Sequence, residues 1–504
     1  MSYEAVIGLE IHAELNTRTK MFCDSLNDPD EKHPNVNICP VCMGHPGTLP
    51  VANREAIKKM IQIGLALGGE IAAFSQFDRK NYFYPDLPKG YQISQYEHPI
   101  VRGGVLDIGG KQIRIQRVHL EEDTGRLVHS TNLADWRRPN AEERGNILCA
   151  SASSQRESAT LVDFNRAGVP LMELVTEPDF RTGEEVRKFG EEFQLILRTI
   201  GASHADMEKG EMRVEANVSI RKEGETVLGT KIEVKNINSF KFAEDAVNYE
   251  IKRQQEILEG GGEIKQATRG WDEKKRATVH QRFKEESHDY RYFPEPDLPP
   301  LEISQGEIEE ARASLPELPA QKRGRFQNEY GIDEKLVGVL VRDGALADYF
   351  EKAVSELAAW DTKEKSGVRL LANYLTSDFL KLLNEVSASA GDTRVTPENF
   401  AELVHYIHDG KISSAAAKSV LKEMFATGEE PDVIIEQKKL WQVSDEAQLA
   451  SFVDKALSQN PEAVAEFAKG KGATLQFLVG QVMKEARGAA NPQVVAKLLK
   501  EKLS

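Results

Sequence analysis

Glu10, His12 and Glu14 stand at every second position of Val6-Ile7-Gly8-Leu9-Glu10-Ile11-His12-Ala13-Glu14-Leu15, with mainly apolar residues between them. That is the period of a half-buried β-strand, so one face carries a carboxylate, an imidazole and a second carboxylate. Neighbours on such a face sit roughly 6.5–7 Å apart, too far to pair tightly and close enough for two of them to share an ion with a third group. A solvated outer strand has the same pattern, so the choice rests on what the fold brings alongside. A second acidic cluster, His119-Leu120-Glu121-Glu122-Asp123, ends the alternating run from Ile113 to Val118. Adjacent carboxylates repel one another unless a cation or basic groups lie between them. Glu10 or Glu14 with one of these carboxylates makes the oxygen-rich site that Mg²⁺ uses, with waters and substrate phosphates completing its shell. His12 suits Mn²⁺ or Zn²⁺ better as a direct ligand, or acts through a metal-bound water. Two unrelated acidic strand ends are the plain alternative.

Other segments carry polar chemistry. Phe77 to Ser94 is dense in Arg, Lys, Asn, Tyr and Gln, with prolines fixing its backbone. Basic groups beside aromatic rings suit phosphate and base contacts; an aromatic loop packed on a sheet is the simpler reading. In Asp206 to Asn217 and Gly229 to Phe240, Lys231, Glu233 and Lys235 share one strand face, as a surface ladder of charges or as two lysines on a nucleotide. Cys39-Pro-Val-Cys42 with Cys23 is most of a structural zinc site, with Asp24, His33, His45 and Cys149 as candidates for the fourth ligand; buried free thiols are the alternative. The chain has no Gly-x-x-x-x-Gly-Lys-Ser/Thr or Gly-x-Gly-x-x-Gly loop, so an ATP site is not of P-loop or Rossmann type, and an ATP-grasp-like ligase is disfavoured for the same lack of a glycine-rich phosphate loop. It also has no Gly-x-Ser-x-Gly elbow, so it carries no serine hydrolase or glutaminase centre of its own.

The elements that must position these groups fall into three parts. Residues 1–295 mix alternating runs (Val6 to Leu15, Val105 to Ile108, Ile113 to Leu120, Arg213 to Arg221, Gly229 to Asn236) with helices predicted over Arg54 to Gly68, Gly183 to Ile200 and Phe242 to Glu259. This is an α+β domain with a mostly antiparallel sheet. The proline-rich stretch Tyr292 to Pro300 reads as a stiff, extended connector. Residues 296–409 are helical, and 410–504 form a tail of short helices, with Asn460-Pro461 and Asn491-Pro492 as helix starts. In the tail, Lys469, Lys471, Lys484, Arg487, Lys497, Lys500 and Lys502 outnumber Glu466, Glu485 and Glu501, a locally basic end fit for nucleic acid or a solvated helical surface.

The chain has 504 residues and a net charge of −15, which argues against a nucleic-acid coat protein without excluding local basic patches. Four cysteines are too few for a disulfide scaffold. The start lacks a secretory signal and no run approaches the roughly 20 apolar residues of a membrane span, so the expected location is the cytoplasm, with no membrane partner.

Long motifs carry a resemblance. Val6 to Leu15, the loop Asp78-Arg79-Lys80-Asn81-Tyr82-Phe83-Tyr84-Pro85-Asp86 with Tyr91-Gln92-Ile93-Ser94-Gln95, His119 to Asp123, Asp289 to Asp297, Gly229 to Phe240 and Phe477 to Lys484 together resemble the GatB family of the aspartyl/glutamyl-tRNA amidotransferases over nearly the whole chain. The resemblance implies a cradle-shaped kinase domain, a helical domain and a tRNA-binding tail. It implies use of ATP and Mg²⁺ to phosphorylate the side-chain carboxylate of glutamate misacylated on tRNA(Gln), or aspartate on tRNA(Asn). It also implies a heterotrimer, in which ammonia comes from a glutaminase (amidase) subunit, with a small third subunit clamping the two. A non-catalytic tRNA-binding scaffold is the alternative. Carried over by motif, the catalytic metal ligands are Glu10, His12 and Glu122, with Lys80, Tyr82, Glu121, Arg213 and Asn217 around the nucleotide, and Glu14 left as the solvated member of its face. The chain departs from the family pattern at Ser25, where many members have a further cysteine, around Lys209, Glu211 and Glu215, and in an apparent insertion from Ser130 to Ala159.

Overall fold

The computed structural model describes residues 2–130, 159–283, 290–359, 365–442, 446–468, 473–486, 490 and 492–503. The chain divides into two compact units, Met1–Leu318 and Pro319–Ser504.

The first unit is built on one large sheet. Its strands run in the order Ala277–Phe283, Ala267–Asp272, Ile232–Ile237, Met212–Lys222, Tyr3–Glu14, Pro170–Thr176, Gln112–Glu122, Val101–Arg102 and Glu70–Ile71, with Val105–Asp107 also paired to Gln112–Glu122. Every pairing but one is antiparallel. The exception, Ile232–Ile237 beside Ala267–Asp272, is parallel and needs a crossover, which the helix Phe240–Glu259 supplies. The first strand therefore lies in the middle of the sheet. Its Ile7, Leu9, Ile11 and Ala13 join a core with Phe189 and Phe193 of the helix Gly183–Thr199 and Val247 of Phe240–Glu259. Because successive side chains alternate, burying that face commits Glu10, His12 and Glu14 to the other. Both helices start on side-chain caps, Thr182 to the Glu185 N–H and Ser239 to the Phe242 N–H.

A three-stranded sheet, Arg291–Pro294, Asp78–Asn81 and Tyr91–Ser94, supplies further groups to that free face. In its register Tyr292, Lys80 and Gln92 form one row. The stretch from Tyr292 to Pro300, expected as a connector, is bound into the first unit. Arg79 forks onto Glu295 with two 2.7 Å hydrogen bonds, and Leu301–Glu302 pairs with Phe74–Ser75. The following helix Gln305–Ala313 reaches the helix Arg54–Ala66 through Lys58–Glu310, so the compact unit runs on to Leu318, past the expected break at 295. The strands Arg126–Ser130 and Ala159–Asp163 pair as a ribbon at the two ends of the apparent insertion, whose residues 131–158, Cys149 among them, lie outside the described residues.

Helices are the only regular elements among the described residues of the second unit, as the composition led one to expect. The tail has a core of its own, with Leu449, Val453, Leu478, Val482, Val495 and Leu499 at its centre. Among the basic tail residues, Lys502 pairs with Asp454 and Lys497 with Glu501; Lys469, Lys471 and Arg487 lie outside the described residues. No described helix is long and apolar enough to cross a membrane.

Candidate functional site

Strand register assembles the site. His12 lies opposite Arg213 on one side and Glu173 on the other, and Glu173 opposite His119, so one row of side chains crosses four strands. The next row pairs Glu10 with Glu215. Over these rows, the three-stranded sheet and its flanking loops add Lys80, Tyr82, Gln92, Ser94, Tyr290 and Tyr292, enclosing a cavity of ≈ 370 Å³. Six carboxylates (Glu10, Glu121, Asp123, Glu173, Glu215, Glu233) face four permanent cations (Lys80, Arg117, Arg213, Lys235) and two histidines there. The excess of acid leaves room for added positive charge.

The acids form two groups. His12, Glu121 and Glu173 place ligand atoms within 4.8 Å of one another, and so do Glu10, Glu215 and Glu233. In the first, His12 Nε2 donates to Glu173 Oε2 at 3.2 Å, and His119 Nε2 stands 3.4 Å from Glu121 Oε1 and 3.5 Å from Glu173 Oε2. Glu121 also accepts from Ser94 Oγ at 2.6 Å and Gln92 Nε2 at 3.0 Å, with Lys80 Nζ at 3.8 Å. In the second, Lys235 Nζ donates to Glu215 at 2.6 Å, Thr268 Oγ1 to Glu233 at 2.7 Å and Asn217 Nδ2 to Glu10 Oε1 at 2.8 Å. The Asn217 carbonyl oxygen beside Glu10 is buried with no protein partner, as is His119 Nδ1 in the first group.

Burial and charge compete at each titrating group. Burial alone would push His12 down, but Glu173, Glu121 and Glu215 outweigh it and raise its pKa to about 9. Burial opposes ionisation of Glu121 and Glu173, yet Lys80 holds Glu121 down to about 2, and His119 and His12 hold Glu173 well below the usual carboxylate range. Because the His12 pKa is raised, its ion pair with Glu173 contributes stability in full below about pH 6.5 and loses it as pH rises through about 9. A metal ion taking Nε2 must displace that proton. We expect Mn²⁺ affinity at this group to rise about tenfold per pH unit up to pH 9, with proton release seen by calorimetry in buffers of different ionisation enthalpy. An affinity flat between pH 6.5 and 9 would remove His12 from the ligand set.

Several expected residues lie elsewhere. Glu122 does not join Glu10 and His12. It faces away from Glu121, pairs with Lys89, accepts from the Ile93 N–H at 2.9 Å and lines a neighbouring cavity with Cys23 and Cys42. The reason is a break in the register between the Pro170–Thr176 and Gln112–Glu122 strands at Val175/Thr176. Before it Ile113 and Ile115 face the core; after it Val118 and Leu120 do. The parity flips, and His119, Glu121 and Asp123 turn to the cavity. Glu14 is not solvated: it is held by Arg166 at 2.6 Å, which also binds Asp123, and burial raises its pKa to about 7. Lys80, Tyr82, Glu121 and Arg213 line the cavity, and Asn217 touches it through Glu10. Of the lysine and glutamate ladder, Glu233 and Lys235 reach the cavity, while Lys231 is exposed ahead of the strand. Sequence reasoning misses Glu173 altogether. Its one signal is a lone acid within the apolar run Pro170-Leu171-Met172-Glu173-Leu174-Val175.

Cys23, Cys39 and Cys42 also come together, their sulfurs within 4.8 Å and Cys39 to Cys42 at 3.9 Å. The last spacing is close to the edge of about 3.8 Å that a tetrahedron with Zn–S of about 2.3 Å requires. Asp24, His33 and His45 are not in that group. Ser25 Oγ lies 3.9 Å from Cys42 Sγ, and Nζ of the fully buried Lys20 lies 3.8 Å from the same sulfur.

A sheet cored by helices on one face and gathering two carboxylate groups on the other defines an α+β domain with a candidate metal site, joined here to a helical unit. The description "GatB/GatE catalytic domain" matches residues 5–309 and "GatB domain" matches 348–503. The GatB subunit of the aspartyl/glutamyl-tRNA(Asn/Gln) amidotransferase of Carboxydothermus hydrogenoformans is 45% identical over 506 residues, covering 100% of this chain and 99% of that protein. The corresponding subunit of Persephonella marina is 46% identical over 507 residues, and that of Caldanaerobacter subterraneus 45% over 508, each covering 100% of both chains. The chain belongs to the GatB family.

Proposed function

We propose that this chain is the activating subunit of an aspartyl/glutamyl-tRNA amidotransferase, working in the cytoplasm with a glutaminase partner and a small third subunit. In the cavity, the side-chain carboxylate of glutamate on tRNA(Gln), or of aspartate on tRNA(Asn), takes the γ-phosphoryl group of ATP and ADP leaves. Ammonia then adds to the acyl phosphate, phosphate departs and the amide remains. A carboxylate needs this activation because its own leaving group would be oxide. The observation that carries the reading is the pair of carboxylate groups on one sheet face beneath Lys80 and beside Arg117 and Lys235.

The donor set fits hard divalent cations: carboxylate oxygens in two groups, an imidazole, and the unpartnered Asn217 carbonyl oxygen. Glu121, Glu173 and His12 would hold one Mg²⁺ and Glu10, Glu215 and Glu233 a second. Bound there, Mg²⁺ would supply positive charge against the phosphate oxygens of the nucleotide. Lys80 stands 3.8 Å from Glu121, a fixed positive charge beside the place where charge develops on the phosphoryl group. Arg117, 4.0 Å from Glu173, adds a second. Cys23, Cys39 and Cys42 would hold a structural zinc through three thiolates, and the basic tail, 410–504, would bind tRNA.

The test is ATP cleavage by the heterotrimer with misacylated and with uncharged tRNA. ADP is expected only with the misacylated tRNA, one per amide formed. Amide formation without ATP cleavage would leave this chain as a tRNA-binding scaffold.

A further inference from the structure

We propose that Phe83 and Tyr84 extend the tyrosine wall of the cavity into a stacking platform for the unpaired nucleobases at the 3′ end of the tRNA substrate, a proposal that rests on the function above.

Five rings stand exposed together in this part of the chain. Phe83 is 84% exposed, Tyr96 54%, Tyr84 53%, Phe293 45% and Tyr290 42%. Rings of this size are more often covered, and so much exposed aromatic surface in one stretch marks a surface built for contact. Tyr82, Tyr96, Tyr290 and Tyr292 line the cavity itself, and Phe83 follows directly in the chain on Tyr82 of its wall. The loop bearing Phe83 and Tyr84 is held still. Pro85 and Pro88 fix its backbone, and Leu87 N–H donates to Tyr84, Gly90 N–H to Leu87 and Gly125 N–H to Asp86. Gly90 has φ +74°, and a Cβ there would stand 3.2 Å from the Phe83 ring; that ring rests against bare backbone and leaves its other face open. A ring exposed on a rigid loop loses little freedom when it binds.

Charge decides the kind of partner. On the cavity face of the three-stranded sheet Lys80 lies 5.3 Å from the Tyr290 ring, whereas Arg79, beside the Tyr91 and Phe293 rings on the opposite face, is held by Glu295 and Asp297. Arg117, Arg213 and Lys235 add fixed positive charge within the same cavity. Planar rings interleaved with fixed cations suit bases and phosphates of a single strand better than an aliphatic protein face. Chemistry places that strand here: the reacting carboxylate is part of an aminoacyl group esterified to the terminal ribose, so whatever brings it into the cavity carries the preceding unpaired nucleotides past its edge.

The experiment measures equilibrium binding of an acceptor-stem minihelix to the heterotrimer without ATP, so that failure of the phosphoryl-transfer reading would leave the result standing. The minihelix is used whole and with its unpaired 3′ nucleotides removed. Phe83→Ala is expected to weaken the whole minihelix about tenfold, within the range a lost base–ring stack gives, and Phe83→Trp to keep the affinity. Truncating the RNA weakens wild type but has little further effect on Phe83→Ala, since both changes remove one contact. Equal truncation effects in wild type and Phe83→Ala would overturn the proposal. So would loss of the glutaminase partner from the purified Phe83→Ala complex with RNA affinity intact, because the rings would then be a protein contact.

Discussion

Glu173→Gln is expected to lower ATP-dependent amidation by about a hundredfold or more, while the glutaminase partner still cleaves glutamine. Glu173 sits at the crossing of the site's contacts, with His12 at 3.2 Å, His119 at 3.5 Å and Arg117 at 4.0 Å. It stays ionised against its burial because those histidines surround it. The amide keeps the volume but has no charge, so the first cation group loses one of its two carboxylates. It also removes the main influence that raises the His12 pKa. With Glu173 neutral, burial draws His12 down from about 9, and an NMR titration of the imidazole reads that change independently of activity. An unaltered far-ultraviolet spectrum would show the sheet intact. Wild-type amidation in this variant would mean that the group around His12 takes no part in the reaction.

That Glu173 had to be found in the structure shows where sequence reading stops. The first strand was legible because one face is core and the other polar, which writes a period of two into the residues. Its neighbour, Pro170–Thr176, is buried on nearly every residue and reads as an apolar run interrupted by a single acid, with no period of two from which strand or face can be told. The three main helices were legible to within two residues at most ends because their caps and amphipathic faces are local signals. Cross-strand register is not local. Nothing in Glu10 or Glu215 says that they lie opposite one another, and the two carboxylate groups exist only through that pairing. The same holds for Arg79 and Glu295, which carry the first unit beyond a proline-rich stretch whose composition reads as a linker.

The register break at Val175/Thr176 makes the sharpest contrast, since it gives adjacent glutamates different work. Glu121→Gln is expected to raise the Mg²⁺ concentration needed for half-maximal ATP cleavage by roughly ten- to a hundredfold, the usual effect of weakening a metal's ligand shell. Glu122→Gln is expected to leave that requirement in place, because its carboxylate serves Lys89 and the Ile93 N–H. The cost at 122 is structural. The Lys89 and Glu122 side chains are 11% and 5% exposed, and truncating one partner of such a pair leaves an uncompensated charge at a cost of roughly 3–5 kcal/mol. Glu122→Ala should therefore unfold at a clearly lower urea concentration, and adding Lys89→Met should restore most of the loss by removing the stranded ammonium. No such second change should rescue Glu121→Gln, whose defect lies in the cation requirement. Had the alternation run unbroken through Gln116, Glu122 would stand on the polar face of Arg114 and Glu121 behind it. A metal requirement that moves with Glu122 and not with Glu121 would therefore mean that the strand keeps its parity and that the break in register is absent in the working enzyme.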